Sequence, residues 1–436
     1  MVFAWLALCL SWGFQDQGGF NQPADFYIES IEVENSRLVS RAIILAQARL
    51  QPQTTYDEAA LAQAVRLIRQ LPFIIDARFQ LRKGSRKSAY ILVIRLEEAR
   101  NYFFNSETTA FGADGENEPA DQATTLGLNY FLGRQSLVYA GWSPGLALEQ
   151  EAKPVFDTYR VGTTIFDLFR RGWFFNAETA YRDSEKHRQP SNNSERITRF
   201  PSVFSYSLQV GLPLQRNQWL KLDLFQNAAR QDLTLVPVSP NPTAERRESS
   251  RERTRTGNLS WELNTSDDAF LPTSGRIVRG GLTFKRTRLQ TAPEGVPGLT
   301  TDRFTEAWGA FGEYDQYLPG AANRSWRFHA TAAWEKGDEE FQGQTLLDLE
   351  SLLGTLTAAH QWHWRITPSK PRWGDLFFGF EAGYRFQENR FKLLAADNPL
   401  ITRNKQAHAG AYLAYRGSWA LIRAQVRYLD EDLDIR

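Results

Sequence analysis

The chain reads as a small α+β domain followed by an all-β antiparallel barrel of the membrane-spanning type. Three observations lead there. Helical periodicity is confined to the first hundred residues, two-residue alternation takes over afterwards, and the links between the alternating runs switch between long and short. Alternation means a strand with two unlike faces. Segments of about ten such residues between turns are the pattern of a transmembrane β-barrel.

The 436 residues carry 51 Lys and Arg against 50 Asp and Glu. That balance holds no basic excess of the kind nucleic-acid binding asks for. Mean hydropathy is −0.46, which argues against a helical membrane protein. The longest apolar run, Val2 to Trp12, is shorter than the roughly 20 residues of a spanning helix. It reads as the apolar part of a secretory signal over residues 1–20, although no Lys or Arg precedes it. Cys9, in that segment, is the only cysteine, so a mature chain would have neither a disulfide nor a cysteine metal site.

Residues 25–98 read as β-α-α-β-β. Tyr27, Glu29, Ile31 and Val33 alternate along the first strand. Ser36 is an N-cap candidate for a helix carrying Val39, Ile43 and Ala46. Leu61, Val65, Ile68 and Leu71 recur at helical spacing, and Pro72 ends that helix. A hairpin turned at Lys83–Lys87, with Gly84 in the turn, completes a three-stranded unit that would fold alone.

From Asn101 to Arg436 the strands follow one another. They are predicted near 101–109, 124–132, 135–143, 157–168, 173–182, 202–213, 218–231, 255–265, 276–287, 303–317, 325–335, 355–366, 374–387, 405–416 and 418–429. Lipid offers no hydrogen bonds to a backbone, so only a barrel lets strands cross it. Many Trp and Tyr near strand ends suit its aromatic girdles, where a soluble sandwich would not need them. Long links ("FGADGENEPADQA", "SPGLALEQEAKPV") alternate with short ones ("GRQ", "RRG"), which places residues 25–98 on the short-turn, periplasmic side. Val278 and Phe284 are then predicted to face lipid, and Arg279, Arg327, Arg423 and Arg427 the lumen. A charge at the lipid midplane costs roughly 2–4 kcal/mol. The fifteenth strand would end outside. Single-chain bacterial barrels have an even strand number, so a barrel of about 16 strands implies a chain cut short before its last strand, or an open seam.

Between two strands stands "DDAFLPTSG". Asp267 and Asp268 can bind backbone N–H groups, Pro272 fixes φ, and Gly275 permits a positive φ. Here the sequence resembles the outer-membrane assembly factors (BamA, TamA and the related two-partner secretion pores). The resemblance rests on the turn Asp267, Asp268, Phe270, Pro272, Thr273, Gly275 and on "IESIEVENSRLV", "YDEAALAQAVRLIRQLPFI" and "RLEE", which are similar to a polypeptide-transport-associated (POTRA) domain. It implies a 16-stranded outer-membrane barrel with a periplasmic POTRA-like domain. Its work would be to insert, assemble or translocate other proteins. It would bind unfolded client proteins by β-augmentation and have lipid and periplasmic or lipoprotein partners. The family's strand-13 motif F-x-D-x-G corresponds to Phe380, Glu381 and Gly383, with the spacing contracted by one. The family's sixth outer loop carries V-R-G-(F/Y); the matching link "EKGDEEFQGQTLLDLESLLGT" has no Arg. A passive pore or surface antigen of the same fold therefore stays open as an alternative.

No catalytic residue, cofactor or metal is expected. "GWSPG" matches G-x-S-x-G around Ser143, but a nucleophile elbow needs a strand–turn–helix context. His360 and His363, three apart on a strand, point to opposite faces. An enzyme of the barrel wall would rest on Ser143 alone.

Overall fold

The computed structural model describes residues 25–69, 71, 73–112, 121–132, 136–143, 157–169, 171–182, 186–191, 194–215, 217–237, 246–267, 272–293, 301–320, 323–341, 344–365, 374–393, 399–417 and 420–435. The segment expected to be a signal, with Cys9, lies outside them. Among the described residues no helix is long and apolar enough to cross a membrane.

The small domain runs β1 (Phe26–Glu34), α1 (Arg41–Ala48), β2 (Thr54–Tyr56), α2 (Glu58–Arg69), β3 (Ile74–Lys83) and β4 (Ala89–Glu98). Its sheet has the order β2-β1-β4-β3, with β1 parallel to β4. The three predicted strands are present, and β2 is a fourth. It is only three residues long and pairs with Phe26–Ile28, too short to leave a periodic signal. Ser40, not Ser36, caps α1: its side chain accepts from the Ile43 amide. The Ser36 hydroxyl turns instead to the Val39 carbonyl, so the helix starts later than its apolar spacing suggests. The apolar stripes of both helices close over the sheet. Ile28, Ile31, Ile44, Leu61, Ile68, Leu92 and Ile94 form a core with at most 1% exposure.

The large sheet comprises β5 (Tyr102–Gly112), β6 (Asp121–Leu132), β7 (Ser136–Ser143), β8 (Thr158–Leu168), β9 (Trp173–Arg182), β10 (Lys186–Ser191), β11 (Ser194–Gln215), β12 (Gln218–Pro237), β13 (Arg246–Asn264), β14 (Gly275–Pro293), β15 (Thr301–Pro319), β16 (Arg324–Phe341), β17 (Gln344–Arg365), β18 (Asp375–Leu393), β19 (Leu400–Arg416) and β20 (Ala420–Ile435). Each of the fifteen predicted strands has its counterpart. The sixteenth, β10, prolongs the line of β9 along the far half of β11. Neighbours pair antiparallel with one exception. β20 pairs β5 in parallel, from Ala420↔Phe104 to Tyr428↔Gly112. An odd succession of antiparallel strands leaves its first and last members pointing the same way, so a ladder between them can only be parallel. The expected sixteenth strand at this seam is not among the described residues, and the two edges meet directly.

Several far-side links are shorter than expected because the strands run on. β11 to β19 have 17–22 residues each, about twice the length of a membrane-crossing strand. The predicted sixth outer loop is mostly a hairpin: pairing continues through Lys336↔Glu350 to Phe341↔Gln344.

The sheet presents its apolar side chains outward. Leu282, Phe284, Trp308, Phe328, Leu356 and Leu413 are all exposed. Their strand neighbours form the polar inner face described next.

Candidate functional site

Polar side chains on the inner face link strand to strand. Glu262 on β13 accepts Lys221 Nζ from β12 at 2.6 Å and Arg279 Nη2 from β14 at 2.9 Å. Arg279 continues to Glu313 on β15 at 2.7 Å. Next along β15, Asp315 binds Arg327 Nε at 2.9 Å and His329 Nδ1 at 3.0 Å. Glu313, Asp315 and His329 place their ligand atoms within 4.8 Å of one another. Arg279 and Arg327 already sit on these carboxylates, so the cluster is an ion-pair network whose negative charge is met from within. Buried charges persist only when paired in this way.

Farther round, Tyr412 on β19 reaches across β18. Its hydroxyl donates to Gln361 Oε1 on β17 at 2.7 Å. The residue between them is Gly379, and a Cβ there would lie 2.5 Å from the Tyr412 ring. Gly379 is therefore the saddle that lets the ring lie flat on the sheet. Gln361 in turn donates to the Pro272 carbonyl at 2.9 Å. Pro272 belongs to the link between β13 and β14, so this turn folds inward beneath the inner face as far as β17. Asp267 holds the turn's shape: it accepts from the Thr273 and Ser274 amides at 2.9 and 3.0 Å and from the Thr273 hydroxyl at 2.6 Å. Gly275 has φ +97°, a conformation that an L side chain rarely adopts. Asp268 and Phe270 lie outside the described residues.

Of the predicted lumen arginines, Arg279 and Arg327 belong to the ion pairs above. Arg423 stacks its guanidinium 5.0 Å over Tyr412. The Arg427 side chain lies outside the described residues. In the strand-13 motif Phe380 points outward and is exposed, while Glu381 is buried and accepts from Gln425 of β20. Gly383 pairs with His408. The residue that sequence reasoning missed is Gln361. In "HQWHW" the histidines drew attention; His360 packs on Trp326 and Trp362 and His363 on Phe377. Ser143 ends β7, its hydroxyl 2.7 Å from that of Thr125; Pro144 and Gly145 lie outside the described residues.

The small domain docks at the end of the sheet where the short links lie. Phe73 meets Phe166, near the end of β8, edge to face at 5.5 Å. Arg49 stacks 5.9 Å over Trp219 at the start of β12, and Arg416 at the end of β19 donates to the Ile74 carbonyl. A cavity of about 370 Å³ between the two parts is lined by Gln47 and Leu71 on one side and Trp219, Lys221 and Glu262 on the other. Above it, a cavity of about 890 Å³ lies against Arg160, Glu178, Arg182, Glu252 and Lys285. Three strand edges of the small sheet have no neighbouring strand among the described residues: β3 along its length, the outer side of the three-residue β2, and β1 beyond Ile28. On β1 the Ile31 carbonyl is already taken by Arg41. On β3 the Ala77 carbonyl is taken by Arg69. The stretch Arg78–Lys83 of β3 is thus the longest open edge segment among the described residues.

No known family model and no curated protein matches the sequence. Among solved structures, BamA from Haemophilus ducreyi lacking POTRA domains 1–3 is similar at 10% identity, TM-score 0.36, covering 94% of this chain and 85% of that one. CdiB from Acinetobacter baumannii is similar at 10% identity, TM-score 0.39, covering 90% and 68%. CdiB from Escherichia coli is similar at 11% identity, TM-score 0.28, covering 97% and 90%.

Proposed function

We propose that the chain is an outer-membrane protein that inserts, assembles or translocates other proteins, with its small domain in the periplasm. The observation that carries this reading is the pairing of an inverted sheet, apolar outside and ion-paired inside, with a small domain seated at its short-link end. The outward apolar face suits lipid. The Arg78–Lys83 edge of β3 suits an extended client segment, because backbone bonds along a sheet edge bind with little sequence demand. In this reading no covalent bond is made or broken.

The test is depletion of the protein in its host, followed by quantification of folded outer-membrane proteins and secreted proteins. A fall in either class supports the proposal. Unchanged levels of both would favour the second reading, a passive pore or surface antigen. One observation speaks for that alternative: the sixth outer link is a paired hairpin with no arginine to fold inward, from Lys336↔Glu350 to Phe341↔Gln344. A narrower test replaces Leu81 by Pro, because the Gly84–Ala89 bond across the hairpin leaves alternate residues such as Leu81 with their N–H groups on the open edge; loss of client cross-links with the domain still folded is the outcome expected.

A further inference from the structure

The outer face of β12, β13 and β14 changes character abruptly along its length. From the short-link end it runs apolar: Leu222 and Leu224 on β12, Leu259 on β13, Leu282 and Phe284 on β14, with Trp308 beside Phe284 on β15. Farther along the same face come arginines, directly after Phe284 on β14, after Gly257 on β13, and after Gln226 and Ala228 on β12. Arg230, Arg251, Arg253, Arg255, Arg286 and Arg288 are all exposed. The alternate residues Glu252, Thr254, Lys285 and Thr287 line the inner cavity, which fixes the arginines on the outside.

Their registration is unusual. Arg255 stands directly opposite Arg286, and Arg253 directly opposite Arg288. Like charges placed opposite one another on neighbouring strands destabilise a sheet. Carboxylates relieve one side only: Glu306 pairs with Arg286 at 3.0 Å and Asp302 with Arg288 at 2.6 Å. Asp338 and Glu340 lie beyond them on β16. On the β13 side, Arg255 Nε donates to the neutral amide of Gln226 at 2.9 Å. Among the described residues no carboxylate pairs with Arg251 or Arg253.

The height of this patch is telling. Residues 276–284 of β14, at about 3.4 Å each, make about 30 Å of strand, and barrel tilt reduces that to about 25 Å, the height of a barrel's apolar band. The arginines therefore begin one step above the band, on the side away from the small domain. Planar guanidiniums in a row are matched by phosphate oxygens, which take paired N–H donors.

We propose that Arg251, Arg253 and Arg255, backed by Arg286 and Arg288, bind the phosphate-bearing headgroup of an anionic glycolipid in the outer leaflet. This rests on the sidedness given under Proposed function. The bound phosphates supply the negative charge that the β13 arginines lack.

The test titrates the full chain, in neutral detergent, with fluorescent lipid A, a glycolipid bearing two phosphates. Saturable binding is expected that weakens about tenfold or more between low and moderate salt, as screening of surface charge requires. R253S/R255S should weaken it at least tenfold, while R253K/R255K should keep part of it. Heat-dependent gel mobility reports whether each variant is folded, and R251Q serves in place of a double variant that is not. Undiminished binding by folded R253S/R255S or R251Q overturns the proposal. Displacement by inorganic phosphate at the same concentration as the lipid also overturns it, since the site would then be one for free anions. Sidedness is read separately, by labelling R253C on intact cells with a membrane-impermeant thiol reagent. Labelling without lipid binding overturns the lipid site alone; absence of labelling overturns the sidedness with it.

Discussion

Ile31 on β1 has 0% of its surface exposed, whereas Leu282 on β14 has 61%. Both are strand aliphatics in alternating sequences, so alternation alone does not say which face turns inward. The difference lies in what each sheet has to cover its apolar face. In the small domain two amphipathic helices lie over it, and water is expelled. Among the described residues no helix covers the large sheet; its strands curve round with their polar faces together, and ion pairs take the place of a core. The two halves of one chain thus obey opposite burial rules, and each rule can be broken separately.

The strongest blow should fall on the inner face. Glu262→Ala leaves Lys221 and Arg279 without their shared carboxylate, and removing one partner of a buried ion pair costs about 3–5 kcal/mol. Loss of the heat-stable folded band in detergent is the readout; a band as stable as the parent's would mean that water already screens this network. Next comes truncation of an aliphatic side chain in each half. Ile94→Ala should destabilise the excised domain 25–98 by about 2–5 kcal/mol in thermal melts, while Leu282→Ala leaves the folding of the full chain nearly unchanged. Equal losses would erase the distinction. Leu282→Arg should instead cost about 2–4 kcal/mol for a midplane charge, measured by reversible folding into lipid vesicles. A neutral outcome there would mean that this face meets water. Gly379→Ala crowds the Tyr412 ring, and overpacking of this kind costs about 1–3 kcal/mol; detergent melting would register it, and Tyr412→Ala in the same chain should relieve it.

The smallest effect is one of pH in the small domain. Glu29 accepts from the Ser85 hydroxyl at 2.6 Å and from its amide at 2.8 Å, and these bonds hold its carboxyl below the usual value. A folded-state pKa lowered in this way contributes stability that is complete above the unfolded carboxylate value and lost as pH falls through the folded one. Parent and Ser85→Ala domains should therefore differ in denaturation midpoint at neutral pH and converge in acid. A gap that persists at low pH would assign the difference to something other than Glu29.

The sequence was most legible where one face is greasy and the other wet. Leu259, Trp261 and Leu263 announce β13 by their alternation, but the same strand begins at Arg246. The stretch "RRESSRERT" has no apolar partner for its alternation, because beyond the apolar band both faces meet water and the period of two leaves no trace. The same reason hid the hairpin through Phe341 and Gln344. The inner contacts were less legible still. Gln361, Tyr412 and Pro272 come together through register across several strands, and nothing local to "HQWHW" says which inward residue will have a ring within reach. Gly275 was readable because its need is local: one residue, one positive φ.

The seam between β5 and β20 has a consequence for how the molecule assembles. It joins Phe104 to Ala420, partners more than 300 positions apart, whereas most other ladders in the sheet join strands adjacent in the chain. Bringing such distant ends together costs loop-closure entropy of about 5 kcal/mol by the logarithmic rule, before a single seam bond repays it. Neighbouring hairpins can form as soon as their residues exist; the seam has to wait for nearly the whole chain. Folding should therefore end there, in a slow step of high contact order, and until it does two unpaired strand edges stand open to any other chain that passes.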